Sequence, residues 1–192
     1  MRRFIRGEDY PQVLEIWQAC FGDEEYYVRF FWDNCFPMCR GLAWEEDGRL
    51  VSMLFLLPGT LDGQLSAEYV YAVATLPDYR SKGYAAQLTT WAADIARSEG
   101  TSALCLCPAT EQLYNYYGKQ GFQLAFRKQD TEMGRFVWPP HMLDYMQCES
   151  KLCGRVISRK EEPGGMLLPL DEQAERWLKA TGGQAYLKYN LE

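Results

Sequence analysis

Tyr71-Ala72-Val73-Ala74-Thr75-Leu76-Pro77-Asp78-Tyr79-Arg80-Ser81-Lys82-Gly83-Tyr84-Ala85-Ala86-Gln87-Leu88 reads as a short apolar strand, a proline break, and a cationic glycine turn that opens directly into an amphipathic helix. The glycine lets backbone come close to a ligand, and the first turn of a helix carries N–H groups with no intrahelical acceptor. The helix dipole puts partial positive charge at the same spot, where Arg80 and Lys82 add full charges. A phosphate or pyrophosphate is the guest such a turn suits. Neither a GxxxxGK loop followed by Ser or Thr nor a GxGxxG turn occurs in the chain, so the common phosphate and dinucleotide loops are excluded.

What remains is Arg80-x-x-Gly83-x-Ala85 behind the strand ending Val73-Ala74-Thr75, and further on Tyr117-Gly118-Lys119-Gln120-Gly121-Phe122. Between them lie a candidate strand, Ser102 to Cys107, and a helix opening near Pro108 and Ala109. In this order the motifs resemble the GNAT superfamily of acyl-CoA-dependent N-acyltransferases, with Arg-x-x-Gly-x-Ala at the strand-to-helix turn and Tyr-x-x-x-Gly-Phe at the end of the later helix. The resemblance covers about residues 1–129. Ala72-Val73-Ala74-Thr75 and Tyr117-Gly118-Lys119 look most similar to the Enhanced-intracellular-survival-type branch.

The resemblance implies a mixed, mostly antiparallel central sheet with helices on both faces, an α/β (α+β) fold, and acetyl-CoA as co-substrate. Arg80, Ser81, Lys82, Gly83, Tyr84 and Ala85 would wrap the pyrophosphate of coenzyme A, and the backbone of Val73, Ala74 and Thr75 would follow its pantetheine arm and thioester. Tyr117 would protonate the departing thiolate, a task that suits a phenol neutral at pH 7. Tyr114 also makes Tyr-x-x-x-Gly with Gly118, but only Tyr117 is followed by Gly-Phe. For the general base two candidates stand: Glu68, at the start of the strand leading to the turn, and the chain's terminal carboxylate at Glu192, as in the Enhanced-intracellular-survival-type branch.

Composition agrees with a compact cytoplasmic enzyme. The chain has 192 residues, 47% of them hydrophobic, enough for a real core. No apolar run reaches the ~18 residues of a membrane span, and no apolar signal region follows Met1-Arg2-Arg3-Phe4. Seven cysteines read as reduced thiols; Cys35-x-x-x-Cys39, Cys105-x-Cys107 and Cys148-x-x-x-x-Cys153 lack zinc-site spacing, and His141 is the single histidine, so no metal is expected. A net charge of −6 argues against nucleic acid as a partner and favours a cationic acceptor, an amine on a small molecule, peptide or protein.

Along the chain, Arg2 to Ile5 reads as a strand, and a helix starting at Asp9 and Pro11 shows the face Tyr10, Val13, Leu14, Trp17 and Phe21. A second helix runs from about Glu24 to Phe36, followed by a hairpin about Glu46-Asp47-Gly48 and a turn at Leu61-Asp62-Gly63. The helix after the cradle shows Tyr84, Leu88, Trp91 and Ile95. The aromatic first two helices, Trp17, Tyr26, Tyr27, Phe30, Phe31 and Trp32, with Asp23, Glu24 and Glu25 close by, are either core or the wall of an amine pocket.

Residues 130–192 read as a C-terminal extension: a helix through Met142, Tyr145 and Met146, a strand at Gly154 to Ser158, a break at Pro163-Gly164-Gly165, a helix capped by Asp171 and stopped by Gly182-Gly183, and a strand from Ala185 to Leu191. This segment adds a strand, walls the acceptor pocket, or forms a homodimer surface. Two functions outside catalysis are also open, a coenzyme A-binding sensor or scaffold module without turnover, and a structural protein whose turn is unoccupied.

Overall fold

Asp47-Gly48 and Asp62-Gly63 both turn the chain through left-handed backbone, with φ of 51° and 78° at the first and 51° and 71° at the second. Such pairs match the twist of the strands they join. They link β2 (Arg40–Glu46), β3 (Arg49–Leu61) and β4 (Leu65–Thr75). The computed structural model describes residues 1–128, 136–139, 162–181 and 185–187. Its chain divides into two compact units, Met1–Leu57 with Val70–Asp94, and Pro58–Tyr69 with Ile95–Glu192.

In the first unit, β1 (Arg2–Phe4) pairs antiparallel with β2, and β2 pairs antiparallel with β3, Arg40 facing Leu56. The helices α1 (Tyr10–Phe21) and α2 (Glu25–Asn34) bring their aromatic side chains together. Trp17 lies 5.0 Å from Phe31 and 5.7 Å from Tyr71, and Phe31 lies 4.9 Å from Phe55, ring to ring. These aromatics therefore form a core, at spacings that add to the burial of their area. The expected face of α1 needs one correction: Ile16 is buried, whereas Phe21 is 44% exposed. A left-handed Gly22 ends the helix directly after Phe21, so that ring falls past the last turn that covers the sheet. Along α3 (Tyr84–Ser98) the buried side chains are Leu88, Thr89, Ala92, Ala93 and Ala96, with Trp91 and Ile95 half-buried. Trp91 instead meets Phe4 at 5.2 Å and the Arg2 guanidinium at 5.2 Å.

In the second unit, β5 (Ala103–Leu106) runs parallel to the first half of β4, Ala67 facing Ala103 and Tyr69 facing Cys105. After α4 (Glu111–Gly118) comes β6 (Gln123–Lys128), and β7 (Phe136–Val137) pairs with the end of β3 at Thr60 and Leu61. The strand β8 (Glu162–Pro169) pairs antiparallel with both β5 and β6, while β9 (Ala185–Leu187) runs parallel to β6. Pro163-Gly164-Gly165 is thus part of a strand, correcting the expected break. The β6–β8 register shifts on either side of Phe126, opposite Gly165, and glycine tolerates the local kink such a bulge imposes. The last described helix, α5 (Glu172–Thr181), is capped as expected, the Ala174 N–H donating to Asp171 Oδ1 at 2.8 Å. The architecture is mixed α/β with a mostly antiparallel sheet. The helix expected through Met142, Tyr145 and Met146, the strand expected at Gly154 to Ser158, His141, Cys148, Cys153, Gly182-Gly183 and Glu192 lie outside the described residues.

Candidate functional site

The glycine turn before α3 lies in the first unit. Pro77–Tyr79 makes one 3-10 turn after β4, and the chain then reverses through two left-handed residues, Ser81 at φ 64° and Gly83 at φ 79°. The first bond of α3 runs from the Gln87 N–H to the Gly83 carbonyl at 3.0 Å. None of the backbone N–H groups from Ser81 to Ala86 has an acceptor among the described residues. Successive free N–H groups at a helix start form a concavity for an anion. Gly83 is required by its φ rather than by crowding, since a Cβ there would come no closer than 3.8 Å to Gln87 Nε2.

Both cations of the turn are tied down. Arg80 Nε donates to the Thr75 carbonyl at 3.1 Å, and Lys82 Nζ stands 3.4 Å from Glu46 Oε1 and 4.7 Å from the centre of the Tyr79 ring. The Tyr84 hydroxyl donates to Glu46 Oε2 at 2.6 Å, and its ring stacks on Trp44 at 4.8 Å with an interplanar angle of 14°. The Tyr84 hydrogen bond, helped by Lys82, holds the Glu46 carboxyl below its ordinary range, and Glu46 in turn raises the Tyr84 phenol. Sequence reading missed Glu46 and Trp44, because neither belongs to the turn's motif and both reach it from the distant end of β2.

The strand that enters the cradle is bent. Ala72 takes a left-handed backbone, φ 48°, in the middle of β4, where extended residues sit near −120° to −140°. The ladder with β5 spans only Ala67–Tyr69, so Val73, Ala74 and Thr75 lie beyond it. Ser52 on β3 donates from Oγ to the Ala74 carbonyl at 2.9 Å and pairs with Thr75 Oγ1 at 2.8 Å. The Cys20 thiol donates to the Thr75 carbonyl at 3.3 Å.

Glu68 and Tyr117 belong to the second unit. Glu68 is 9% exposed and faces Leu104 across the β4–β5 ladder, so it is a buried interior-strand carboxyl rather than a solvated edge residue. Tyr117 is 6% exposed in the last turn of α4, its ring 5.7 Å from Phe122 and 5.0 Å from Tyr116. Burial, reinforced by Tyr116, pushes its phenol well above the usual range, and its hydroxyl makes no hydrogen bond among the described residues. Tyr114 differs: its hydroxyl donates to the Gly164 carbonyl at 3.3 Å, an acceptor shared with the Cys107 thiol at 2.7 Å. Among the described residues no group of His, Cys, Asp or Glu is arranged to hold a metal ion.

The sequence matches the acetyltransferase (GNAT) domain family over residues 2–125. No curated protein matches it significantly. Among solved structures it is similar to the Escherichia coli GNAT family N-acetyltransferase YhbS in complex with CoA, at 17% identity and a TM-score of 0.66 over 98% of this chain and 90% of that one. It is also similar to the ribosomal-protein-S18-alanine N-acetyltransferase from Escherichia coli, at 16% identity and a TM-score of 0.63 over 89% of this chain and 94% of that one. A conserved protein of unknown function from Enterococcus faecalis shares the fold at 16% identity and a TM-score of 0.60 over 66% of this chain, which spans only 33% of that protein.

Proposed function

Because the chain belongs to the GNAT acetyltransferase family, we propose that it is an N-acyltransferase that moves an acyl group, acetyl in the first instance, from coenzyme A to a primary amine. The transfer is direct, within a ternary complex. The observation that carries this reading is the run of acceptor-free N–H groups from Ser81 to Ala86 at the start of α3. These groups, with Arg80 and Lys82, suit the pyrophosphate of the coenzyme, and the E. coli neighbour with CoA bound supports that choice of ligand.

Roles follow residue by residue. The backbone of Val73, Ala74 and Thr75 lies along the pantetheine arm and offers an N–H to the thioester carbonyl, where negative charge grows as the amine attacks. The new C–N bond forms, the C–S bond breaks, and the amine's proton passes to Glu68 directly or through water. Tyr117 gives its proton to the departing thiolate and recovers one from solvent. Its raised pKa keeps the phenol protonated at neutral pH, and a thiolate desolvated alongside it would have its own proton affinity raised by the same effect. We place the chain nearest the Enhanced-intracellular-survival-type branch, which Ala72-Val73-Ala74-Thr75 and Tyr117-Gly118-Lys119 support.

The acceptor is an amine of a small molecule, peptide or protein; the S18 alanine N-acetyltransferase among the structural neighbours illustrates a protein acceptor. The proposed setting is the cytoplasm; no described helix is long and apolar enough to cross a membrane, and the net charge of −6 disfavours nucleic acid. Thermal unfolding with acetyl-CoA, free coenzyme A and ATP tests the reading, because a ligand bound by the native state alone must raise the midpoint. Both coenzyme species should raise it and ATP should not. No rise with any of them overturns the assignment, while binding without turnover across an amine panel supports a sensor in place of an enzyme.

A further inference from the structure

Ser52 stands out within β3 because it is a hydroxyl in a run of apolar side chains. Leu50, Val51, Met53, Leu54 and Phe55 are all buried, and Ser52 itself is 0% exposed. A hydroxyl buried this deeply is costly unless it is hydrogen-bonded. Both of its partners lie in the last two residues of β4, the Ala74 carbonyl at 2.9 Å and Thr75 Oγ1 at 2.8 Å. With one proton to give, Ser52 donates to Ala74 and accepts from Thr75.

The need for this side chain traces to Ala72. A left-handed residue inside a strand shifts the alternation of the backbone groups beyond it, and a bulged strand leaves ladder groups to be satisfied by other means. Past the bend, the Leu76 N–H donates to the Val51 carbonyl at 2.9 Å. Between Ala72 and Leu76, side chains bond the strand end. Ser52 caps the Ala74 carbonyl, and Arg80 Nε and the Cys20 thiol cap the Thr75 carbonyl at 3.1 and 3.3 Å. Both carbonyls are thus turned toward protein donors. With those two carbonyls engaged, the N–H groups of the stretch have the polarity an incipient oxyanion requires.

We propose that Ser52 is a positioning residue for acyl transfer, its buried hydroxyl holding the bulged end of β4 so that the strand's N–H groups meet the thioester carbonyl. The inference rests on the reading of Val73, Ala74 and Thr75 as the acyl-binding edge, and its test is built to separate the two. Binding of two ligands is measured by calorimetry on the full chain: acetyl-CoA, and adenosine 3′-phosphate 5′-diphosphate, which has the phosphates and lacks the pantetheine and thioester. Ser52→Ala should weaken acetyl-CoA binding by about tenfold and leave the nucleotide's affinity within about twofold, a difference too small to signal a lost hydrogen bond. Ser52→Thr, which keeps the hydroxyl, should restore acetyl-CoA binding. Should Ser52→Ala fail to fold, Thr75→Val removes one of the two contacts, the Ser52–Thr75 hydroxyl pair, and should give a smaller loss with the same selectivity, which Thr75→Ser restores. Equal weakening of both ligands, or unchanged acetyl-CoA affinity in a folded variant, overturns the role of Ser52 alone. Failure of the unaltered protein to bind either ligand overturns the coenzyme reading and this role with it.

Discussion

Phe122 and Tyr116 surround the Tyr117 ring, and the resulting rise in its pKa fixes the form in which it would meet a leaving thiolate: a neutral donor. Tyr117→Phe should lower kcat by about 10² or more with little change in acetyl-CoA affinity. This is checked by thiol release with an amine that the turnover screen yields, alongside calorimetry. Tyr114→Phe provides the contrast, since it removes a bond to Gly164 and should leave kcat nearly intact. A second residue-scale expectation concerns Asp9, buried beside Arg3, whose two Nη atoms donate to it at 2.7 and 2.8 Å. The Arg3 hydrogen bonds hold the Asp9 carboxyl below its ordinary value of 3.8. A carboxyl depressed in the folded state stabilises the fold above its unfolded pKa, and that contribution is lost as pH falls through the folded one. Chemical denaturation should therefore show constant stability from Asp9 at neutral pH and a decline below about pH 4. Asp9→Ala should remove that limb and cost about 2 kcal/mol, because Arg3 loses one of its two carboxylate partners and keeps Glu45. At this scale the left-handed turn at Gly83 was legible in the sequence, since glycine marks such backbone. Ser52, Ala72, Cys20 and Glu46 were not, since a serine in an apolar strand and an alanine at positive φ look like any others until the fold gives them neighbours.

Among the elements, α3 and the turn before it were read most fully, because glycine, cations and an apolar helix face coincide within eighteen residues and every signal there is local. The cradle's dependence on backbone shape gives a direct expectation. Gly83→Val places a β-branched residue at φ 79°, which costs about 1–2 kcal/mol and displaces the N–H groups on either side. The thermal midpoint should drop modestly while coenzyme A binding is lost; retained binding in calorimetry would show that the N–H run is not the phosphate site. The strand β8 marks where local reading stops. Pro163-Gly164-Gly165 carries every mark of a break, yet Gly164 accepts hydrogen bonds from Cys107 and Tyr114, and Gly165 lies opposite a register shift in β6. The pairing that turns a break into a strand involves Phe126 and Arg127, about forty positions away, and nothing in a short window records it.

At the scale of the molecule, the division into units runs through the strands β3 and β4 rather than through a linker, with Pro58–Tyr69 joined to the second unit and the residues on either side to the first. Composition shifts and glycine clusters locate linkers, so a division inside two apolar strands leaves no trace in the sequence. The net charge of −6 has a physical consequence for the proposed ligand, itself an anion: the long-range field opposes its approach, and affinity must come from local N–H groups and two tethered cations. The stack of Trp44 on Tyr84, at the first residue of α3, has one more consequence. An indole held against a phenol at the rim of the proposed anion site is a built-in optical probe. Of the six tryptophans, Trp44 is the one whose surroundings include both Tyr84 and, through it, Glu46. Coenzyme A should therefore change the intrinsic fluorescence of the unlabelled protein, and Trp44→Phe should silence that change while the other five indoles go on emitting unaltered.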